Sequence, residues 1–332
     1  MKHPRGKKHV AEAAIAAVFV LFLLVLSLLR VASVASVDSG RILGATFSPS
    51  YATSLGLDWR RAYVAMLDEL QVKHLRLPVY WSEVSPNEGE YLWNDVDWMM
   101  EQAQARDVDV TLAIGRKVPR WPECHIPAWV TDERQQEELL AYLELLVLRY
   151  DSSPALVRWQ VENEPLFPFG GCPIPDPQFL EQELTLVRSL SEKPIMLTAS
   201  GENEVWIDTA IRADVLGVSL YRTTWNDLTG YFIYPLGPEF YRLKAALARP
   251  FADAIVLSEL QAEPWFQEAQ EDVSLSDQAK MFTPDDLEEQ LLGATVVGFD
   301  EIYLWGVEWW YWMSVQGEDG MWEKAKEVYG AL

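Results

Sequence analysis

The chain has 332 residues, 49% of them apolar and 23% charged, a composition that excludes a disordered, collagenous or multi-span membrane protein. With 27 Lys and Arg against 50 Asp and Glu the net charge is −23, so the chain has little cation to offer the phosphates of a nucleic acid. The 15 Trp are costly to expose, so they are expected to pack in a core or to stack on a ligand.

Residues 13–29 form an apolar stretch whose one polar residue is Ser27, and Lys2, Arg5, Lys7 and Lys8 precede it. This pattern predicts a cytoplasmic N-terminus and export of everything after Arg30. The stretch lies between the apolar core of a cleaved signal peptide, about 7 to 15 residues, and a spanning helix of about 20. Both an N-terminal membrane-anchor helix and cleavage near Ser33-Val34-Ala35 are open at this point. Without residues 1–36 the net charge becomes −27, which favours solubility and repels an anionic membrane surface. The expected organisation is a basic tail with its anchor or signal over 1–40 and one catalytic domain over 41–332.

From residue 41 onward, short β-branched runs alternate with amphipathic segments, as in successive βα units. The predicted strands are Ile42 to Phe47, His74 to Pro78, Val108 to Ile114, Leu156 to Val161, Pro194 to Ala199, Val215 to Tyr221, Ala254 to Ser258 and Glu301 to Trp305. Helix starts are legible at Asp58, at Asn94 with Asp97 as a capping box, and at Thr283-Pro284. Eight strands over this length, with no G-x-G-x-x-G after the first, predict an α/β fold of the (β/α)8 TIM-barrel type. Its chemistry then belongs on the loops after the strands' C-terminal ends.

The fourth strand ends in Trp159-Gln160-Val161-Glu162-Asn163-Glu164-Pro165 and the seventh in Leu257-Ser258-Glu259-Leu260-Gln261. Each delivers a carboxylate to one face, and strands 4 and 7 face each other across a barrel mouth. Paired carboxylates at that place suit glycosidic cleavage, in which one protonates the leaving oxygen and the other attacks or activates water. Glu164 is preferred over Glu162 as the one before Pro165, and Glu259 over Glu263, which is expected out in the loop.

These motifs resemble the retaining glycoside hydrolases of clan A, the cellulase and β-galactosidase superfamily, over nearly all of residues 41–332. The resemblance implies that Glu164 is the acid/base and Glu259 the nucleophile. It also implies that Arg76 steadies the nucleophile, Tyr221 hydrogen-bonds it, Asn163 holds the sugar 2-hydroxyl and Trp305 is a sugar platform. The sequence departs from the cellulase-like families in lacking an aromatic-Gly after Glu259. The mechanism implied is a double displacement, for which the carboxyls must stand about 5 to 5.5 Å apart.

Of the indoles on predicted loops, Trp265 and Trp309 are expected as further sugar platforms, while about half of the others are expected only to seal loop packing. Cys124 and Cys172 fall on neighbouring predicted loops, and in an exported protein this predicts one disulfide beside the site. Cys124-His125 alone has no zinc-ligand spacing, no Ser-His-Asp arrangement stands out, and the two-carboxylate chemistry requires neither metal nor cofactor. The function expected is hydrolysis of an extracellular or cell-wall oligo- or polysaccharide by an exported, membrane-tethered or secreted enzyme. The alternatives are a non-hydrolysing sugar-binding barrel, which has no need of the whole residue set, and a transglycosylase, which differs in how well the site excludes water.

Overall fold

A computed structural model describes residues 41–332 except 227, 268, 269 and 332, and the side chain of Glu271 is likewise undescribed. The anchor or signal expected over 13–29 and the cleavage segment lie outside the described residues. Among the described residues no helix is long and apolar enough to cross a membrane.

The apolar runs form β1 (Ile42–Thr46), β2 (His74–Pro78), β3 (Asp109–Ile114), β4 (Leu156–Val161), β5 (Ile195–Ala199) and β6 (Val215–Leu220). After a hairpin of β7 (Thr223–Asn226) and β8 (Gly230–Ile233) come β9 (Ala254–Gln261) and β10 (Glu301–Trp305). The eight parallel strands close in the order β1-β10-β9-β6-β5-β4-β3-β2, and the hairpin stands apart as a two-stranded sheet. Strands covered on both sides read as nearly continuous apolar runs, as in β5, where all five residues are buried. The polar side chains buried among the strands, Arg76, Gln160, Thr198 and Glu259, meet at the carboxyl ends, where the site lies.

The helices are α1 (Pro49–Ser54), α2 (Trp59–Asp68), α3 (Trp81–Val84), α4 (Asn94–Gln104), α5 (Gln135–Tyr150) and α6 (Pro177–Leu190). They continue with α7 (Trp206–Ala210), α8 (Pro238–Ala248), α9 (Leu275–Met281), α10 (Pro284–Val297), α11 (Val307–Val315) and α12 (Gly320–Gly330). Asp58 caps α2 by accepting from Arg60 N at 3.1 Å and Arg61 N at 3.3 Å. Thr283 and Asp286 form a reciprocal capping box on α10, with Asp286 N donating to Thr283 Oγ1 at 3.2 Å and Thr283 N to Asp286 Oδ2 at 2.8 Å. Thr283→Ala removes the hydroxyl acceptor and is expected to cost about 1 kcal/mol, read as a lower urea midpoint at unchanged slope.

The capping box expected at Asn94 is absent. Helix α4 begins at Asn94 itself, with Trp93 in the cap position and no side-chain cap bond. Trp93 stacks on Tyr91 at 5.8 Å and on Tyr142 at 6.2 Å between ring centroids, and this packing sets the entry to the helix. Strand β9 continues three residues past its expected end, and Gln261 joins it to the hairpin by accepting from Thr223 N at 3.0 Å and donating to Thr223 O at 2.8 Å. Much of the tryptophan content is core. Trp81, Trp159, Trp206, Trp309 and Trp310 are fully buried, and Trp159 and Trp310 donate to Ser191 Oγ at 3.0 Å and Ala262 O at 2.7 Å, so these two indole N–H groups are satisfied.

Candidate active site

The end of β4 is built from backbone conformations that L-residues seldom adopt. Glu162 and Glu164 have φ of 57° and 44°, and Asn163 lies between them. Such a conformation costs on the order of 1 to 3 kcal/mol per residue and persists only where the surroundings enforce it. Here three backbone donors are fixed: Glu162 N to Ile114 O at 2.7 Å, Asn163 N to Lys117 O at 2.6 Å and Glu164 N to Thr198 Oγ1 at 2.7 Å. The Glu162 carboxylate turns away to accept from Arg116 N at 2.9 Å and Lys117 N at 2.6 Å. Gly115 makes this possible, since its φ is 129° and a Cβ there would lie 2.6 Å from Glu162 Oε1. Glu162 is therefore structural, and Glu164 is the residue left at the mouth.

Across the barrel, both oxygens of Glu259 are held. Arg76 Nη1 donates to Oε1 at 2.7 Å, and Tyr221 OH donates to Oε2 at 2.9 Å. Arg76 is fully buried and spends its remaining donors within the same layer, Nε on Gln160 Oε1 at 2.6 Å and Nη2 on Asn163 Oδ1 at 2.7 Å. The arginine thus ties the Glu259 strand to the Glu164 strand. Ser219 makes a second tie: it is the register partner of Glu259 on β6, and its hydroxyl donates to Glu164 Oε1 at 2.7 Å. The two carboxyls therefore converge on one mouth. Burial, followed by the negative charge of Glu259 and then of Glu204, holds the Glu164 carboxyl well above the usual carboxylate range. Burial and the Glu259 charge push the Tyr221 phenol up in the same way, so it stays a hydrogen-bond donor.

The loop after β3 adds groups that motif reading missed. Arg120 lies between the rings of Tyr51 and Trp305, its guanidinium carbon 3.8 and 4.2 Å from their centroids. It pairs with Glu263 and, at 2.9 Å, with Glu308 Oε2, while Glu308 Oε1 accepts from Ser48 N at 2.5 Å. Glu123 of the same loop accepts from Asn163 Nδ2 at 3.1 Å, and burial with the Glu259 charge pushes its carboxyl up to about 7. The adjacency of Glu123 to Cys124 was the only signal for it, and a Glu just after the eighth strand that for Glu308.

The predicted disulfide is present: Cys124 and Cys172 are bonded, with Cα atoms 5.2 Å apart and a sequence separation of 48. It fastens the β3 loop to the β4 loop, as does the bond from Gly171 N to Pro122 O at 2.9 Å. Replacing both cysteines by Ala is expected to cost roughly 2 to 4 kcal/mol. The check is urea denaturation with and without reductant, which should lower the midpoint of the wild type and leave the double variant where it is.

Of the expected site residues, Glu164, Glu259, Arg76, Asn163 and Tyr221 come together in one hydrogen-bonded layer, and Trp305 borders it. Trp265 is half-buried with its ring 5.6 Å from that of Tyr221, and it faces a groove of about 390 Å³ lined also by Arg222, Gln261 and Phe282. Two expectations need correction. Trp309 is fully buried and donates to Gln278 Oε1 at 2.9 Å, so it is core and offers no face to a sugar. The reason is that α11 starts directly after β10 and turns this indole inward. Glu263 is buried on Arg120 instead of lying out in the loop, because β9 runs on and Ala262 N donates to Trp305 O at 2.9 Å. Among the described residues no group of His, Cys, Asp and Glu side chains is placed to hold a metal ion.

No protein-family model and no curated protein matches the sequence. Solved structures do match. An exo-β-1,4-mannosidase from Opitutaceae bacterium strain TAV5 superposes with a TM-score of 0.59 at 15% identity, over 88% of this chain and 59% of its own. A β-galactosidase from the psychrophilic Marinomonas ef1 gives 0.56 at 12%, over 87% and 59%. A GH5_18 protein from Bifidobacterium longum subsp. longum gives 0.56 at 16%, over 80% and 70%. The chain thus spans 59% of the length of the mannosidase and of the β-galactosidase. Identities this low speak to architecture, and the chain has the closed (β/α)8 barrel fold that these glycoside hydrolases share.

Proposed function

We propose that the protein is a retaining β-glycosidase in which Glu164 is the general acid/base and Glu259 the nucleophile. The observation that carries this reading is the contrast between the two carboxyls. Glu259 is gripped on both oxygens by a cation and a phenol, whereas Glu164 is buried, forms no ion pair among the described residues, and is held well above the usual carboxylate range. Two carboxyls with opposed surroundings are how one fold supplies an acid and a nucleophile together. In the first step Glu164 gives its proton to the glycosidic oxygen while Glu259 attacks the anomeric carbon, and the aglycone leaves with that proton. In the second, Glu164 takes a proton from water, which displaces Glu259 and frees a sugar of the original configuration. Tyr221 and Arg76 keep the Glu259 carboxylate aimed in both steps. The substrate class is an extracellular or cell-wall oligo- or polysaccharide, met after export by a body tethered through residues 13–29 or released by cleavage there.

The test is hydrolysis of aryl β-glycosides followed by NMR of the first product. The β anomer is expected before mutarotation, and an α product would rule out the double displacement. Membrane fractionation of the expressed full chain separates the tethered form from the released one.

A further inference from the structure

Resting on the glycosidase reading above, we propose that Glu123 is the specificity-determining residue of this site and that it receives a free ammonium group at carbon 2 of the sugar. The substrate class is then a β-linked 2-amino-2-deoxyhexoside, as in a glycan of unacetylated hexosamine.

The argument starts from the hydrogen bonds of Asn163, the side chain next to the acid/base. Its Oδ1 accepts from Arg76 Nη2 at 2.7 Å, Thr198 Oγ1 at 3.1 Å and Gln160 Nε2 at 3.3 Å, which fixes the amide's orientation. Its Nδ2 donates to Glu123 Oε2 at 3.1 Å. A neutral sugar hydroxyl is bound well by an amide N–H looking for an acceptor. Here the protein already supplies a carboxyl acceptor to that amide, so a substituent arriving beside Asn163 comes near the Glu123 carboxyl.

Among the described residues no cation pairs directly with that carboxyl, although the charges of Lys117 and Arg76 bear on it. Arg76 is committed to Glu259, and Arg120 to Glu263 and Glu308, while Lys117 Nζ donates to the backbone oxygens of Glu164 at 2.9 Å and Phe167 at 2.7 Å. Among the described residues Glu123 forms no ion pair, and its Oε1 accepts no hydrogen bond. Burial and the Glu259 charge hold this carboxyl, only 8% exposed, up to about 7, and a ligand cation beside it favours its ionised form. Glu259, whose charge bears on Glu123, strengthens the local preference for a cation over a hydroxyl.

The group is also built into place. Glu123 has φ of 73°, its N donates to Arg120 O at 2.8 Å, and its O accepts from Val118 N at 2.9 Å. From the disulfide-linked loop, Gly170 lies so close that a Cβ there would be 2.6 Å from Glu123 Cβ. A strained residue held from two loops is expected where its side chain has work to do. At longer range, the net charge of −23 draws a polycationic glycan toward the mouth at low salt and repels polyanionic ones.

The experiment measures kcat/KM of the full-length protein on matched aryl β-glycosides of gluco and galacto configuration, each with a 2-amino, 2-hydroxy or 2-acetamido group. The pH is kept at 7, where the Glu123 carboxyl, held up to about 7, is partly ionised and the amine is still partly protonated. The wild type is expected to prefer the amino sugar over its hydroxy and acetamido counterparts by about 30-fold or more, the scale of one buried charge-assisted contact. Glu123→Gln is expected to bring the amino-to-hydroxy ratio close to one. A wild-type ratio at or below one, with neutral glycosides turned over, overturns the proposal and leaves the glycosidase reading standing. Absence of turnover on every member by a folded wild type sinks the glycosidase reading itself. A ratio unchanged in Glu123→Gln assigns the amine to another group and also overturns the proposal. The wild-type ratio needs no variant, so a poorly folded Glu123→Gln does not leave the question undecided.

Discussion

Glu259→Gln is expected to lower kcat/KM by at least about 10⁴-fold on every substrate, because it removes the nucleophile while keeping the side-chain shape. Glu164→Gln is expected to lose about 10²- to 10⁴-fold on glycosides with poor leaving groups, the range of general acid catalysis. With an activated aryl leaving group its first step needs little protonation, so that variant should accumulate the glycosyl-enzyme instead. Azide separates the two roles. With Glu164→Ala it replaces the activated water in the second step and yields a β-glycosyl azide. With Glu259→Ala it attacks directly from the vacated side and yields the α product. If both variants gave the same anomer, or if Glu259→Gln kept turnover, the role assignment would be wrong. Because Arg76 bonds Glu259 and Asn163 together, the effects of Arg76 variants and these changes should not add.

The second large expected effect is a loss of stability as the pH rises. Burial pushes Glu123, Glu202 and Glu204 each up to about 7 from 4.5, and Glu164, Glu183 and Glu308 are raised as well. Between the unfolded and folded values the folded state binds more protons than the unfolded one. Stability from these groups is therefore fully present below about 4.5 and is lost as pH rises through about 7. Lys244, pushed down to about 8 by burial, has the opposite sign, but its effect develops only above that value. Each of the three carboxyls held near 7, Glu123, Glu202 and Glu204, contributes on the order of 3 kcal/mol to the loss. The melting temperature should accordingly drop by roughly 10 °C between pH 5 and pH 8. Glu202→Gln, which removes a carboxyl bonded to Tyr241 OH at 2.8 Å, should flatten that slope. A melting temperature that is level or rising over the same interval would contradict the burial of these carboxyls.

The eight barrel strands, the helix starts at Asp58 and Thr283, and the convergence of Glu164, Glu259, Arg76, Asn163 and Tyr221 were all legible in the amino-acid sequence. Each depends on short-range information: a β-branched run forms a strand, a capping side chain starts a helix, and in a closed parallel barrel any residue ending a strand reaches the same mouth. The two cysteines were legible for a similar reason, since successive βα loops are neighbours by topology. The tertiary structure alone decided which of two nearby groups does what. Glu162 and Glu164 differ because left-handed backbone at both turns one onto the Arg116 and Lys117 amides and leaves the other at the mouth. Glu263 and Trp309 are buried because β9 runs on to Gln261 and α11 starts directly after β10, neither of which has a local marker. Arg120 reaches Glu263 and Glu308 across 143 and 188 residues of sequence, and Glu123 reaches Asn163 across 40. Such partnerships come from how loops close over a finished barrel, and a pattern confined to one segment carries no information about the segment that will face it.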